Sequence, residues 1–336
     1  MLPGRENDNS LPMITKNLSY YCSKFENLRR DFKNGGAPHK PILLISLIQA
    51  FQNGLYTNSE IKILPELVGL FKSNWQSLVE TNHQCLFTLP FYHMSTEPFW
   101  QLVPNRGCEL WIKSKSPMRS FSNLTTAVQY AKIDEELKKL LLKKEESKIL
   151  LHVLLDKYFP KANYSATIVP ENSYLTDIKT QILKDSKSEY LQRLTQIRNN
   201  LDNEGFQEEI FVRGGVFKKE VPKIYNYTCC ISGFRVDAGD NISMVDACHI
   251  IPFSEGFNDT ISNGLSLCPN LHRAFDRGLI SINNDFNVIV NKNFSEPFQS
   301  TYSIKQFEGK RISLPSMGHH YPSVDSLVYH REKYGF

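Results

Sequence analysis

Apolar residues recur with helical spacing through much of the first third of the chain. The ranges with this spacing are residues 20–31, 41–53 and 61–78. The spacing predicts three helices, because about 3.6 residues complete one helical turn. Gly54 follows the second range directly and marks its end. The first part of the chain is therefore predicted to be mainly helical.

Residues 130–200 form a stretch rich in Lys and Glu in which leucines return at helical intervals. Two amphipathic helices are predicted there, with breaks at Pro160 and Pro170, because proline lacks the N–H group that a helix interior needs. The first helix is expected to close an N-terminal domain. The second is expected to connect that domain to a C-terminal one.

The pattern changes in the last third of the chain. Residues 244–251 form a short apolar stretch that predicts a strand, and residues 252–260 are rich in the Ser, Gly, Asn and Asp typical of turns. From Leu265 the apolar positions recur every three to four residues, which predicts a helix with Pro269 in its first turn. The chain as a whole is therefore predicted to be an α+β protein.

A chain of 336 residues exceeds the usual size of one hydrophobic core, which predicts two domains. The expected boundaries are residues 10–160 for the N-terminal domain, 161–202 for a helical connector and 203–336 for the C-terminal domain. The longest apolar run is too short to cross a bilayer, and the polar N-terminus lacks the apolar segment of a signal peptide. We therefore expect a cytoplasmic protein without a membrane partner, whose seven scattered cysteines are reduced.

The net charge is only +4, but basic residues cluster in three places. The clusters are Arg29, Arg30, Lys33, His39 and Lys40; Lys113, Lys115 and Arg119; and Arg213, Lys218, Lys219 and Lys223. Each cluster suits contacts with nucleic acid phosphates, although a solvated charged face has the same composition. Charge therefore permits a DNA partner without requiring one.

Asp246, His249, Asn263 and His272 surround the predicted turn and offer the residue types of a one-metal nuclease site. Hydrolysis of a phosphodiester at neutral pH needs a base, and imidazole has a pKa near that pH, so His249 is the expected base. Asp246 and His272 are the expected ligands of a divalent ion that neutralises charge on the phosphate. Asn263 either orients the His249 ring or binds the ion, and we favour the orienting role. The alternative is a set of hydrogen-bonded structural residues.

The segments DACHIIP, ISNGLSLCPNLH and RAFDRGLIS resemble the HNH endonucleases with a ββα-metal fold. The resemblance implies that His249 is the general base, Asn263 the middle asparagine and His272 a metal-binding histidine, with Mg2+ or Mn2+ as the expected ion. Many relatives carry the metal-binding acid directly before the base. In this chain Cys248 has that position, and Asp246 precedes it.

The cysteines of this region lack the spacing of a structural zinc site. They are Cys229, Cys230, Cys248 and Cys268. Some HNH domains are stabilised by two paired-cysteine knuckles, whereas here two cysteines are adjacent and two are single. We expect these cysteines to be buried as small apolar residues, without a structural zinc ion.

The loop at residues 34–40 opens a predicted helix, where unpaired backbone N–H groups can bind an anion. The segments GGAPHKPILLISLI and LPFYHMSTEPFWQL resemble the sulfur-binding domain of restriction endonucleases that recognise phosphorothioate DNA, over most of residues 15–115. The resemblance implies a sulfur pocket at His39, Lys40, Leu89, Pro90 and His93. We expect Arg29, Arg30 and Phe91 to extend this DNA-binding site. Relatives often carry Tyr where Leu89 stands and a small residue where His93 stands.

These features together predict a restriction endonuclease that binds double-stranded DNA carrying a phosphorothioate and cuts it with a divalent ion and a histidine base. Two alternatives stay open. One is a sequence-specific or homing nuclease that cuts unmodified DNA, and the other is a non-catalytic reader of modified DNA. One site per chain would cut both strands either as a homodimer or through two successive nicks.

Overall fold

The computed structural model describes residues 16–114, 117–161, 172–237, 243–296 and 300–336. The chain divides into two compact units, residues 1–171 and 172–336. Helices and strands occur in both units, which confirms the predicted α+β class. No helix in the described part of the chain is both long and apolar enough to span a membrane.

Helices form most of the described part of the first unit. They are α1 (Leu18–Glu26), α2 (His39–Gln52), α3 (Pro65–Leu78), α4 (Thr88–His93), α5 (Phe121–Ala127), α6 (Glu135–Leu142) and α7 (Lys144–Tyr158). The strands β1 (Glu60–Ile61), β2 (Trp100–Pro104) and β3 (Val128–Ile133) form an antiparallel sheet in the order β1-β3-β2.

Helix α2 forms the centre of the first unit. Its residues from Lys40 to Phe51 are all buried, and it contacts α3, α4, α6 and α7. A helix covered on all sides needs apolar residues around its whole circumference, which explains the almost unbroken apolar run in the sequence. His39 and Lys40 lie in the first turn of α2, so the packing of this helix fixes their backbone positions at the edge of the core.

The described part of the second unit combines three long helices with two β-hairpins. Its elements are α8 (Ser173–Lys184), α9 (Lys187–Asn200), α10 (Asn203–Ile224), β4 (Asp246–His249), α11 (Phe253–Gly256), β5 (Gly264–Leu267), α12 (Pro269–Asp276), β6 (Ile280–Ile282), β7 (Val288–Val290) and α13 (Val324–Tyr334). Strand β4 pairs antiparallel with β5, and β6 pairs antiparallel with β7. Both α10 and α12 contact the β4–β5 hairpin.

The helix predicted to begin at Leu265 begins at Pro269 instead. Leu265 lies in β5, whose four residues are all buried. A strand buried on both faces lacks the alternation of polar and apolar residues that distinguishes a strand from a helix. Pro269 does lie in the first turn of α12, as predicted.

Helices α8 and α9 lie in the stretch that the sequence analysis assigned to a connector. In the structure both contact α10 and bury apolar side chains, among them Ile178 and Ile182 of α8 and Leu194 of α9. The second unit therefore begins at residue 172 and includes them.

His330 anchors the C-terminal helix α13 to the core of this unit. Its side chain is buried, and its ring stacks on Phe275 with 3.8 Å between the ring centroids. Nε2 donates to the carbonyl oxygen of Phe275 at 3.1 Å, and Nδ1 accepts from the hydroxyl of Ser281 at 2.8 Å. Burial lowers the pKa of His330 to about 4.

The lowered pKa of His330 predicts that acid destabilises this unit. The unfolded chain, with an ordinary histidine pKa near 6.5, takes up the proton first, so the stabilising contribution is complete above pH 6.5 and is lost as the pH falls towards 4. The expected loss is about 3 kcal/mol of unfolding free energy. His330→Gln preserves both hydrogen-bonding partners but does not titrate. Urea unfolding of the two proteins from pH 7 to pH 4 should therefore show a steeper loss in the wild type, and parallel curves would contradict the assignment.

Candidate active site

The β4–β5 hairpin positions the predicted nuclease residues between α10 and α12. The two strands pair in regular register, with His249 opposite Gly264. Because side chains alternate along a strand, Asp246 and Cys248 face one side and His249 faces the other. Asp246 and Cys248 contact side chains of α12, whereas the His249 ring stacks on Phe217 of α10.

Gly264 permits the close approach of the hairpin to α10. A Cβ atom added at this position would lie 2.6 Å from Cγ2 of Val221 and 3.1 Å from the ring of Phe217. Any larger residue would therefore push the hairpin away from the helix. The glycine keeps His249, on the paired strand, within stacking distance of Phe217.

The His249 ring is held on two sides. Its Nε2 lies 2.8 Å from Oδ1 of Asp259, and its plane is within 11° of the Phe217 plane at a centroid distance of 4.0 Å. A carboxylate only accepts hydrogen bonds, so Nε2 carries a proton, and in the neutral form of the ring the lone pair lies on Nδ1. The side chain of His249 is 20% exposed. A neutral imidazole with an available lone pair is the form that a general base requires.

The contacts of Asn263 differ from those predicted. Its side chain is fully buried, and its amide group donates to the carbonyl oxygens of Ile251 at 2.9 Å and Asn258 at 3.0 Å. Its Oδ1 accepts from the N–H of Ile251 at 3.0 Å. These bonds tie the end of β4 to the loop that carries Asp259. The hydrogen bond that orients His249 comes from Asp259, which the sequence analysis did not single out.

His272 of α12 lies between two carboxylates. Its Nδ1 is 3.6 Å from Oδ2 of Asp246, and its Nε2 is 3.4 Å from Oδ2 of Asp276, four residues later on the helix. Cys248, His272 and Asp276 form a compact group in which one potential ligand atom of each residue lies within 4.8 Å of the others. The structure thus brings together Asp246 and His272, as predicted, and adds Asp276 and Cys248 beside them.

The donor atoms of this group fit a divalent ion. Carboxylate oxygens suit Mg2+ and Mn2+, and an imidazole nitrogen suits most first-row ions. Burial, with the nearby charge of Asp276, raises the pKa of the Cys248 thiol well above its usual range. The thiol of Cys248 therefore stays protonated and donates towards Oδ1 of Asp276 at 3.7 Å. The imidazole and the two carboxylates are the donors available to a hard ion.

Three further cysteines of this unit, Cys229, Cys230 and Cys268, lie outside that donor group. Cys229 accepts a hydrogen bond from the thiol of Cys268, which lowers the pKa of Cys229 to about 5. Cys230 is fully enclosed, and burial raises its pKa well above the usual range. Cys229 and Cys230 are thus buried, as the sequence analysis expected, and Cys268 is half-buried.

Seven of the eight residues predicted to bind sulfur and DNA line one cavity of about 560 Å³ in the first unit. They are Arg29, Arg30, His39, Lys40, Leu89, Pro90 and His93. The loop before α2 and the adjoining first turn of that helix supply four of them, and α4 supplies three. The wall is completed by Asp31, Ala37, His83, Thr96 and Arg119. Phe91 is instead fully buried, where it packs against Phe87 and Trp100.

His39 and Lys40 do not supply the available positive charge that was predicted for them. Lys40 is buried in an ion pair with buried Glu97, and its ammonium group also donates to the hydroxyl of Thr96 at 2.7 Å. The ring of His39 packs on Trp75, and burial lowers its pKa to about 4, so His39 is neutral at pH 7. Burial also lowers the pKa of Lys40, although Glu97 opposes this shift.

Arginines supply the positive charge of the cavity wall. Arg29 and Arg119 are exposed. Arg30 is half-buried, donates to the carbonyl oxygen of Ala37 at 3.1 Å and lies 4.3 Å above the ring of Tyr158. A guanidinium group that is already held in place can bind a phosphate with little further loss of conformational entropy.

Residues 229–283 match the HNH endonuclease family, and this stretch contains His249, Asn263 and His272. No curated protein matches the chain. Among solved structures, the modification-dependent TagI restriction endonuclease is similar, with 26% identity over 35% of this chain and 36% of that chain and a TM-score of 0.26. The match therefore spans little more than a third of that protein. The HNH endonuclease domain predicted from the sequence is confirmed for residues 229–283.

Proposed function

We propose that the HNH endonuclease domain makes this chain a metal-dependent DNA endonuclease, with His249 as its general base. The observation that carries the proposal is the arrangement of the β4–β5 hairpin. One face presents the His249 imidazole, whose Nε2 bonds to Asp259, and the other presents an imidazole flanked by two carboxylates. Hydrolysis of a phosphodiester needs a proton acceptor and a cation, and this hairpin carries a candidate for each.

His249 would take a proton from the attacking water at Nδ1. Asp259 accepts a hydrogen bond from Nε2–H and so selects the neutral tautomer whose lone pair lies on Nδ1. After proton transfer the ring is cationic, and the same carboxylate stabilises that charge. Phe217 stacks on the face of the His249 ring and fixes its plane. This contact leaves the ring nitrogens free of Phe217, so it can persist when the ring gains a proton.

His272 and Asp276 would hold a divalent ion, which when bound neutralises charge that develops on the scissile phosphate. A histidine ring can offer only one nitrogen to a given ion, and Asp246 and Asp276 lie beside opposite nitrogens of His272. We favour the Nε2 side, because Oδ2 of Asp276 lies 3.4 Å from Nε2 and shares one helix face with His272, whereas Oδ2 of Asp246 lies 3.6 Å from Nδ1. Asp246, whose Oδ2 lies 3.6 Å from Nδ1, would then move closer to accept a hydrogen bond from that N–H and orient the ring, a common arrangement around metal-binding histidines.

The cavity of the first unit would bind the DNA backbone at a phosphorothioate. Residues from three separate segments of the chain converge on this cavity, with Leu89 and Pro90 as apolar wall and Arg29, Arg30 and Arg119 as cations. A non-bridging sulfur is larger, more polarisable and less strongly hydrated than oxygen, so apolar side chains can accept it at a small desolvation cost. An oxygen placed there would lose its water contacts without replacement.

The test of this function is cleavage of matched duplexes that differ only in one phosphorothioate, with Mg2+ or Mn2+ present. We expect cleavage of the modified duplex and little or none of the unmodified one. Equal cleavage of both would support a sequence-specific or homing nuclease, and selective binding without cleavage in any divalent ion would support a non-catalytic reader. Nicked products that precede linear ones would indicate successive nicks, whereas cleavage that rises with the square of protein concentration would indicate a homodimer.

Variants of the cavity should separate sulfur preference from general affinity. Leu89→Asn is expected to reduce the preference for the modified duplex about tenfold, because a polar group in the wall restores partners for oxygen and removes apolar contact with sulfur. Arg29→Ala and Arg119→Ala should weaken binding to both duplexes. Each should also make log affinity fall less steeply with log salt concentration, by the amount that about one phosphate contact contributes. Binding is measured between about 50 and 200 mM salt.

The control for the arginine variants is Arg106→Ala, which removes an exposed arginine of the same unit that lies outside the cavity wall. It should leave both affinities near those of the wild type. An unchanged sulfur preference in Leu89→Asn would contradict the proposed contact. So would separated phosphorus diastereomers that bind equally well, because a cavity wall can face only one of the two sulfur positions.

A further inference from the structure

A chain of buried polar contacts leads from His249 out of the matched HNH stretch and into helix α9. Oδ1 of Asp259 accepts from Nε2 of His249 at 2.8 Å, and Oδ2 of the same carboxylate accepts from the hydroxyl of Tyr190 at 3.4 Å. Asp259 and Tyr190 are both fully buried. Each oxygen of the carboxylate therefore has one defined donor in a site shielded from water.

The loop around Asp259 is itself held in place. The side chain of Asn258 accepts from the N–H of Thr260 at 3.0 Å and from its hydroxyl at 2.8 Å. The amide of Asn263 donates to the carbonyl oxygen of Asn258 at 3.0 Å. These bonds fix the backbone on both sides of Asp259, so rotation of its side chain is the main freedom that remains. The hydroxyl of Tyr190 on one carboxylate oxygen and Nε2 of His249 on the other restrict that rotation.

Helices α8 and α10 hold the Tyr190 ring. Arg213 of α10 is buried, and its guanidinium carbon lies 5.4 Å from the centre of that ring. The guanidinium group also donates to Glu209 at 2.8 Å and to Gln181 of α8 at 2.8 Å. Burial and the charge of Asp259 raise the pKa of Tyr190, so its hydroxyl keeps the proton that it donates.

We propose that Tyr190 and Asp259 are positioning residues for the base: Tyr190 fixes the Asp259 carboxylate, and Asp259 fixes the tautomer and orientation of His249. The inference rests on the proposed endonuclease function. Tyr190 lies outside residues 229–283, so α8 and α9 become part of the catalytic apparatus instead of a connector between domains.

Two substitutions test this proposal in the full chain. Asp259→Asn keeps the size of the side chain but can donate to Nε2, which moves the His249 proton to Nδ1. We expect kcat to fall about a hundredfold, with little change in KM. Tyr190→Phe keeps the ring and removes only the hydroxyl, for which we expect a fall in kcat of about fivefold.

The double variant distinguishes positioning from general structural support. If Tyr190 acts through Asp259, adding Tyr190→Phe to Asp259→Asn should cause no further loss of kcat. A further fivefold loss would overturn the proposal. The matched control is Tyr225→Phe, which removes another buried hydroxyl of this unit, one without a hydrogen-bond partner in the described part of the chain. Tyr190→Phe kinetics equal to those of Tyr225→Phe would also overturn it.

A spectroscopic measurement tests the same contacts without a substrate. Nitrogen NMR of histidine-labelled protein reports which ring nitrogen carries the proton, and the His249→Ala variant identifies the signals of that ring. We expect protonated Nε2 in the wild type, protonated Nδ1 in Asp259→Asn, shifted His249 signals in Tyr190→Phe and unshifted ones in Tyr225→Phe. Unchanged signals in Asp259→Asn or Tyr190→Phe would overturn the proposal. A wild type that cuts no DNA but shows the expected signals would contradict only the proposed endonuclease function.

Discussion

Replacing His249 with alanine is expected to abolish cleavage while DNA affinity stays near that of the wild type. A general base contributes about 10²–10⁴-fold to the rate, and it acts on water instead of on the bound backbone. Phe217 covers one face of the ring and Asp259 occupies Nε2, so Nδ1 is the ring nitrogen left to take the proton from water. No other group at this position can replace the lone pair of Nδ1. The measurement is single-turnover cleavage together with the dissociation constant of the same duplex.

Loss of His249 also removes one of the two hydrogen-bond donors to the buried Asp259, so a second variant separates catalysis from folding. His249→Gln can still donate to Asp259 but cannot act as a base, and it should be as inactive as His249→Ala. The control is His319→Ala, which removes an exposed histidine of the same unit. A cleavage rate above about a tenth of the wild-type rate in His249→Gln would be incompatible with the assigned base.

Replacing Asp276 or His272 with alanine is expected to raise the required concentration of Mn2+ or Mg2+ by tenfold or more, or to remove activity altogether. Both residues belong to the donor group on the Nε2 side of the His272 ring, where the loss of one ligand removes a large part of the binding free energy of the ion. Asp246→Asn should have a much smaller effect. Its amide oxygen can still accept a hydrogen bond from the Nδ1–H of His272, which is the role that we propose for Asp246.

Metal titration of cleavage distinguishes the two carboxylates. Asp285→Ala serves as the control because Asp285 is an exposed carboxylate of the same unit outside the donor group. A normal metal requirement in Asp276→Ala, with a raised one in Asp246→Asn, would place the ion on the Nδ1 side of His272. That result would support the ligand assigned from the sequence and reject the one preferred from the structure.

The amphipathic helices could be predicted from the sequence because their buried faces repeat along the chain. Strand β5 could not, since its four residues are all buried and show no alternation. The assignment of α8 and α9 to a connector has a related cause. The leucine spacing of α8 and α9 indicates an apolar face in each helix, but it does not say which domain that face packs against.

The candidate active site was partly predictable for a similar reason. His249 and His272 stand in short segments with recognisable spacing, and Asp276 could have been added because a residue four positions after His272 shares its helix face. Asp259 had no such signal. Asp259 reaches His249 because the loop between β4 and β5 folds back towards β4. A hydrogen bond from Asn263 to Asn258 holds the loop in this position.

By itself, the sequence determined the chemical groups that are present: two histidines, several carboxylates and a cluster of basic residues near two apolar segments. Only the tertiary structure decided which of these groups are charged and which ring nitrogen carries a proton. Glu97 neutralises Lys40 from 57 residues away, Asp259 places the proton on Nε2 of His249, and burial keeps His39 uncharged. The physical reason is that a pKa or a tautomer depends on the nearest donors, acceptors and charges in space, and a folded chain supplies these from positions that are distant in its sequence.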